Sequence, residues 1–290
     1  MDTTEDIKDS TRSPLADAWA ELQAHADHGE PLQPDSYRLA FADPEFLLRR
    51  ETRGIRFQLE LLKPELALAA AGIYNTVVVY GGARFVAPEI AQEQLAAARA
   101  CGDAPAVALA ERAVRTSRYY QAAREFGRLV ATYSLRQPQE EKLFICTGGG
   151  PGVMEAANRG AHDVDVPSIG LNIALPHEQS ANPYVTPELT FKFHYFALRK
   201  MHFMMRASAL VAFPGGFGTL DELFEVLTLV QTRKARPLPI VLLGREYWSR
   251  LLHLDMLVEE GAIAPEDLDL YKVVDTPEEA WEVIRTFYGL

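Results

Sequence analysis

Ala209-Leu210-Val211-Ala212-Phe213-Pro214-Gly215-Gly216-Phe217-Gly218-Thr219-Leu220-Asp221-Glu222 runs from a strand through a glycine turn into a helix. Five apolar residues without polar alternation read as a parallel strand covered on both faces. Two further strands end in glycine turns, and the second of those turns also runs directly into a helix. Thr76 to Tyr80 is a β-branched run ending in Gly81-Gly82, and Lys142 to Cys146 is closed by Thr147-Gly148-Gly149-Gly150-Pro151-Gly152.

Outward from these three runs, further strands are expected over Ser168–Ala174, Leu189–Phe193, Pro239–Leu243 and Tyr271–Val274. Helical spacing falls between them: 89–114, 117–133, Val153 to about Gly160, Phe196–Ala207, Leu220–Gln231, from about Tyr247, and Pro277–Phe287. Strands alternating with helices predict an α/β fold, a Rossmann-like, doubly wound, mostly parallel sheet. Before it lies an N-terminal extension, residues 1–72, ahead of the Rossmann-like domain at 73–290. Its first 40 or so residues lack periodicity and are expected to be disordered or loosely attached. Asp43-Pro44-Glu45 then has the form of a helix N-cap, an N1 proline and a first-turn acid. The helix is expected to run to Glu60, with Pro64 opening a second one to Ala71.

The 290 residues carry a formal net charge of −11. Binding a nucleic-acid polymer by neutralising its phosphates takes a surplus of Lys and Arg, so that class is excluded. A small phosphorylated ligand needs only a local positive pocket. No apolar run reaches the roughly 20 residues that span a bilayer, and the acidic, polar opening does not read as a secretory signal. Cys101 and Cys146 are the only cysteines. Two make neither a disulfide framework nor a metal cluster, which points to a reducing cytoplasm and to no metal.

In an open parallel sheet, ligands bind at the carboxyl ends of strands where the strand order reverses. Glycines there let the backbone approach a ligand, and the following helix adds its positive dipole end. A tight βα turn is the plainer reading of one such loop, but two in one sheet favour phosphate binding. Gly148-x-Gly150 has Val153 where a dinucleotide fingerprint wants its third glycine, and neither loop carries a P-loop Gly-Lys-Ser/Thr. Asp221 and Glu222 fall in a first helical turn, where acids complement the dipole without further purpose. Arg199-Lys200 and Arg206 precede the fifth strand. Arg199 and Arg206 share a helix face, which is either a solvated face or a cation pocket near the loops. His194 and His202 lack metal-ligand spacing and read as structural or surface groups. Cys146 reads as a small buried residue, and Met201, Met204 and Met205 as core filling.

Taken together, Gly148-Gly149-Gly150-Pro151-Gly152-Val153-Met154-Glu155-Ala156, Arg199-Lys200 and Pro214 to Glu222 resemble the LOG ("Lonely guy") family over roughly residues 73–245. Its members are cytokinin riboside 5′-monophosphate phosphoribohydrolases, many once labelled lysine decarboxylases. The resemblance implies hydrolysis of a nucleoside 5′-monophosphate (AMP or an N6-modified AMP) to base and ribose 5-phosphate. It implies Glu222 and Arg199 as catalytic residues, no cofactor, and a homodimer with sites near the interface. Substrate binding falls to Gly149, Gly150, Gly152, Lys200, Pro214, Gly215, Gly216, Gly218 and Thr219. Glu222 is expected to stabilise an oxocarbenium-like sugar and to orient or deprotonate water. The amides of Gly149, Gly150, Gly216, Gly218 and Thr219 would hold phosphate, Arg199 phosphate or base, with Lys200 in support and Asp221 the weaker carboxylate candidate. Nothing marks a pyridoxal-binding lysine. The extension, an apparent insertion at 89–115 and the loop from His177 to Pro187 depart from the short family members and bear on base preference. The rival class is a non-catalytic carrier or sensor of a phosphorylated nucleotide or pterin, resembling molybdenum-cofactor carriers. Those generally lack the acid at the position of Glu222.

Overall fold

A computed structural model describes residues 39–174 and 180–290, and the chain divides into two compact units, Met1–Leu59 and Glu60–Leu290. The expectation for the first 40 residues, and the part of the 177–187 loop before Ser180, lie outside the described residues.

In the first unit, α1 (Pro44–Leu48) starts as the sequence implies, with the Asp43 carboxylate accepting from the Phe46 amide at 3.1 Å. The expected continuous helix is interrupted at Arg49, where the backbone turns extended. The Thr52 hydroxyl lies 2.9 Å from the Leu47 and Arg49 carbonyls, which takes up acceptors freed by the break. A second helix, α2 (Arg53–Ala70), then contains Pro64 in its interior instead of beginning there. Proline lacks the amide that a helix interior uses, at a cost of about 3 kcal/mol. Pro64 is buried within the helix, so tertiary packing overrides the local preference.

The second unit holds a seven-stranded sheet. Its strands are β1 (Asn75–Tyr80), β2 (Leu143–Thr147), β3 (Ile169–Ile173), β4 (Thr190–Phe193), β5 (Ala207–Ala212), β6 (Ile240–Leu243) and β7 (Tyr271–Val274). All neighbours pair in parallel in the order β4-β3-β2-β1-β5-β6-β7. Val78 lies level with Cys146 on one side and with Leu210 on the other. The β-branched centre of β1 is fully buried, as uninterrupted apolar strands require. The chain winds outward from β1 to β4, returns to the centre at β5, and winds outward again. The switch point therefore lies between β1 and β5.

The connecting helices are α3 (Pro88–Cys101), α4 (Ala104–Ser134), α5 (Val153–His162), α6 (Phe196–Met205), α7 (Phe217–Gln231), α8 (Arg245–Leu251), α9 (Asp255–Glu259) and α10 (Pro277–Tyr288). The sequence places a helical break near residue 115, but it falls at Gly102, which has φ 70° and caps α3. Asp103 is the N-cap of α4 and Pro105 falls in its first turn. From there α4 runs 31 residues without a break. It crosses α5 at backbone contact. A Cβ on Gly127 would lie 2.2 Å from the Ala157 carbonyl oxygen, and one on Gly160 would lie 2.0 Å from that of Arg124. Buried Ser134 ties the end of α4 to the start of β2 by bonding both backbone groups of Leu143.

On α6, Leu198, His202 and Phe203 are buried, whereas Met201 and Met205 are about half exposed. The methionines were expected in the core. Of the three, only Met204 packs partly against the core.

Candidate functional site

At the carboxyl ends of β1 and β5 the sheet opens into a cleft of about 290 Å³. Three loops surround it: Gly81-Gly82 after β1, Gly148 to Gly152 after β2, and Pro214 to Gly216 after β5. Arg199 and Phe196 of α6 close one side, and Glu222 projects from α7.

The third loop is shorter than the sequence suggests. Helix α7 starts at Phe217, three residues before the expected Leu220, so Gly218 and Thr219 occupy its first turn. Their amides, and that of Gly216, meet no acceptor among the described residues, as the first turn of a helix requires. With the helix dipole behind them they favour an anion. A Cβ on Gly216 or Gly218 would meet nothing within 4 Å, so here the absent side chains leave open space. Gly215 and Gly152 differ. A Cβ on Gly215 would lie 2.1 Å from the Thr219 hydroxyl oxygen, and one on Gly152 would lie 2.4 Å from the Gly82 carbonyl oxygen.

Glu222 is 5% exposed. Its Oε1 accepts from an Arg199 guanidinium nitrogen at 3.2 Å, and Oε2 lies 3.5 Å from Lys200 Nζ. Burial pushes the Glu222 carboxyl above the ordinary carboxylate range, against the opposing pull of Lys200 and Arg199. Lys200 is shared with Glu225 at 2.6 Å and Asp221 at 2.9 Å. Burial works against its charge, but these carboxylates outweigh that and hold its pKa above the lysine range. Arg199 lies between aromatic rings, its guanidinium carbon 5.3 Å from the centroid of Phe196 and 5.6 Å from that of Phe203. Its buried Nε meets no acceptor among the described residues.

Of the residues singled out from sequence, Glu222, Arg199, Gly150, Gly216, Gly218 and Thr219 line one cleft. Gly149, Gly152, Pro214, Gly215 and Lys200 stand behind its walls. The Gly149 amide donates to the Thr147 hydroxyl at 2.9 Å, so it is spent inside the protein. The Pro214 carbonyl accepts from Gly82 N and the Gly215 carbonyl from the Tyr247 hydroxyl, which braces the loop. Arg206 does not join Arg199. It forms a two-pronged pair with Glu65 at 2.5 and 2.8 Å and also binds the Ile73 carbonyl. The shared helix face is broken because Arg206 lies just past the end of α6, at φ −122°. Burial keeps His202 below the usual histidine range, and its ring stacks near Phe193. The His194 backbone amide donates to the Glu60 carboxylate. Cys146 is buried, which pushes its thiol pKa up and makes it inert.

Sequence reading missed Tyr80, Met154, Asn172, Phe196 and Phe203, which also line the cleft. Tyr80 and Asn172 sit at or near strand ends, and that position is the signal that identifies them. Burial, with the charge of Glu222 second, lifts the Tyr80 hydroxyl well above its ordinary range, so it remains a donor.

Fold and cleft together define a doubly wound α/β protein with an open crevice at the switch point of its sheet. A family described as "Possible lysine decarboxylase" matches residues 154–284. The cytokinin riboside 5′-monophosphate phosphoribohydrolase LOG3 of Arabidopsis thaliana is 29% identical over 139 residues, 47% of this chain and 63% of that protein. The phosphoribohydrolase LOG of Oryza sativa subsp. japonica is 30% identical over 156 residues, 52% of this chain and 60% of that protein. The chain thus spans about three fifths of the length of these relatives. These matches bear out the LOG-family resemblance. Among solved structures, a molybdenum cofactor binding protein from Rippkaea orientalis aligns with TM-score 0.46 at 18% identity, covering 74% of this chain and 97% of that one. A Moco carrier protein from Chlamydomonas reinhardtii aligns with TM-score 0.44 at 20% identity, covering 74% and 98%.

Proposed function

We propose that the cleft hydrolyses the N-glycosidic bond of a nucleoside 5′-monophosphate, AMP or an N6-modified AMP, to free base and ribose 5-phosphate. The observation that carries this is a buried carboxylate, Glu222, set beside unpaired amides at a helix N-terminus. A phosphate held by Gly216, Gly218, Thr219 and Gly150 places the attached ribose within the same small cleft. As the bond from C1′ to the base nitrogen breaks, its electron pair leaves with the base, and positive charge grows on the sugar. Glu222 stabilises that charge and takes a proton from the attacking water. The remaining hydroxide bonds to C1′, and the departing base takes up a proton. Burial that raises the Glu222 pKa also makes it a stronger base once ionised. Arg199 holds Glu222 in place and offers its free guanidinium edge to the ligand, with Lys200 in support.

Chromatography of purified protein incubated with AMP, IMP, GMP, CMP and N6-isopentenyl-AMP, beside Glu222→Gln, tests this reading. Base and ribose 5-phosphate are expected from wild type, with turnover lost by at least 100-fold in the variant. If wild type releases no base yet calorimetry finds tight nucleotide or pterin binding, the carrier reading replaces the enzyme.

We also infer a homodimer in a reducing cytoplasm. Phe196, Met201 and Met205 of α6 and Phe217 of α7 are exposed apolar side chains, Phe217 by 92%, and Phe196 lines the cleft. Sedimentation equilibrium should give twice the chain mass, and a monomer at micromolar concentration would refute it.

A further inference from the structure

Behind the Gly148–Gly152 loop lies a chain of polar side chains, each nine-tenths or more buried: Thr147, Asn158, Ser168 and Asn182. Asn158 Oδ1 accepts from the Thr147 hydroxyl at 2.7 Å and from Asn182 Nδ2 at 3.1 Å, while its Nδ2 donates to Ser168 Oγ at 3.0 Å. Asn182 continues the chain to the loop. Its backbone amide donates to the Gly149 carbonyl at 2.8 Å, and its Nδ2 donates to the Gly150 carbonyl at 3.0 Å. Its Oδ1 accepts from the Tyr184 amide at 3.1 Å, an Asx turn that fixes the residue's own backbone.

The consequence follows from the geometry of one peptide. In a trans peptide the carbonyl and the next N–H point in opposite directions, and the chain has no cis peptide among its described residues. With the Gly149 carbonyl drawn back to Asn182, the Gly150 N–H is turned the other way, toward the cleft that Gly150 lines. No described acceptor meets it. Gly149 has φ 68°, which a residue with a side chain adopts only with strain, and this allows the loop to hold that orientation. Pro151 follows and has no N–H, so the peptide after Gly150 adds no donor.

We propose that Asn182, backed by Asn158, is a positioning residue that locks the Gly149–Gly150 peptide with its N–H aimed at the ligand's phosphate. This rests on the nucleotide reading and deepens it. The anion is held from two sides, by the start of α7 and by one amide whose direction is set by the Asn182 main-chain N–H, which the Asn182 side chain fixes in place through the Gly150 carbonyl, Asn158 and the Tyr184 amide. Asn182 touches no substrate and acts on recognition, so its loss falls on binding of the phosphate group.

The test compares wild type with Asn182→Ala and Asn182→Asp by calorimetry, using ribose 5-phosphate, AMP and adenosine, with KM and kcat for AMP measured alongside. Losing one hydrogen bond to a charged group weakens binding roughly 10- to 100-fold. Both variants are expected to weaken ribose 5-phosphate and AMP by that amount and to leave adenosine unchanged. KM should rise and kcat should change less than threefold. Equal weakening of all three ligands would mean a merely structural role and would overturn the proposal, as would unchanged phosphate binding in folded variants. Should neither variant fold, a titration of ¹⁵N-glycine-labelled wild type with ribose 5-phosphate decides. The Gly150 amide is expected to shift, and a stationary Gly150 with ligand bound refutes the clamp. If wild type binds neither ribose 5-phosphate nor AMP, the nucleotide reading itself fails.

Discussion

A carboxylate at 5% exposure with two cations within 3.5 Å is pulled in opposite directions, and at Glu222 burial prevails over the cations. The sign of the pH dependence follows. The proposed chemistry needs the ionised form, so the rate falls as pH drops through a value above the ordinary 4.5 of glutamate. A pH profile of kcat/KM should show this acid limb, and a limb at or below that ordinary value would remove Glu222 as the titrating group. Arg199 lowers the Glu222 pKa, so Arg199→Ala should move the limb to higher pH as well as reduce the rate. Removing one partner of a buried pair also costs about 3–5 kcal/mol of stability when the other stays charged. Thermal unfolding of Arg199→Ala at pH 8 should therefore show a larger loss than at pH 5, where Glu222 is closer to neutral. Sequence alone left Glu222 as one of two first-turn acids, separable only by resemblance. Burial now distinguishes them, because the Asp221 side chain is 62% exposed.

At the scale of elements, two kinds of glycine share the same loops. Gly152 has φ 74° and its missing Cβ would press on the Gly82 carbonyl, whereas Gly218 is helical with open space before it. Gly152→Ala should lower Tm by several degrees, since both strain and a clash must be relieved. Gly218→Ala should keep the wild-type Tm yet weaken ribose 5-phosphate binding at least tenfold, because its methyl enters the space proposed for phosphate. Equal Tm losses in the two variants would remove that distinction. The strands were legible because buried parallel strands are continuous apolar runs, and each lies within two residues of its expected place. The helices were less so. The Gly102-Asp103 junction carries ordinary stop and start signals that an alanine-rich run obscures. Pro64 sits where packing outweighs propensity, and Arg206 left the shared face because α6 ends one residue before it. The Asn158–Asn182 network was illegible for a simple reason: its members are 24 residues apart and meet only through tertiary structure.

At the scale of the molecule, the cleft draws on both halves of the sheet. A ligand that bridges them binds the folded chain and not the unfolded one, so it stabilises by about 2.7 kcal/mol at a hundred times its Kd. For a unit of this size that is a rise in Tm of about 5–10 °C. Ribose 5-phosphate should produce it at saturating concentration in calorimetric scans, and adenosine less of it. The charge of −11 opposes association with any polyanion, so added DNA should leave Tm unchanged. The strand order carries a last consequence, one of time. β1 leaves the ribosome before the other six strands, yet one of its flanks stays bare until β5, more than 120 residues later, has been made. Until then a strand whose centre is fully buried in the folded protein has an unpaired edge open to other chains. Slow decoding between residues 150 and 206 should therefore lower the soluble yield more than the same delay after residue 243.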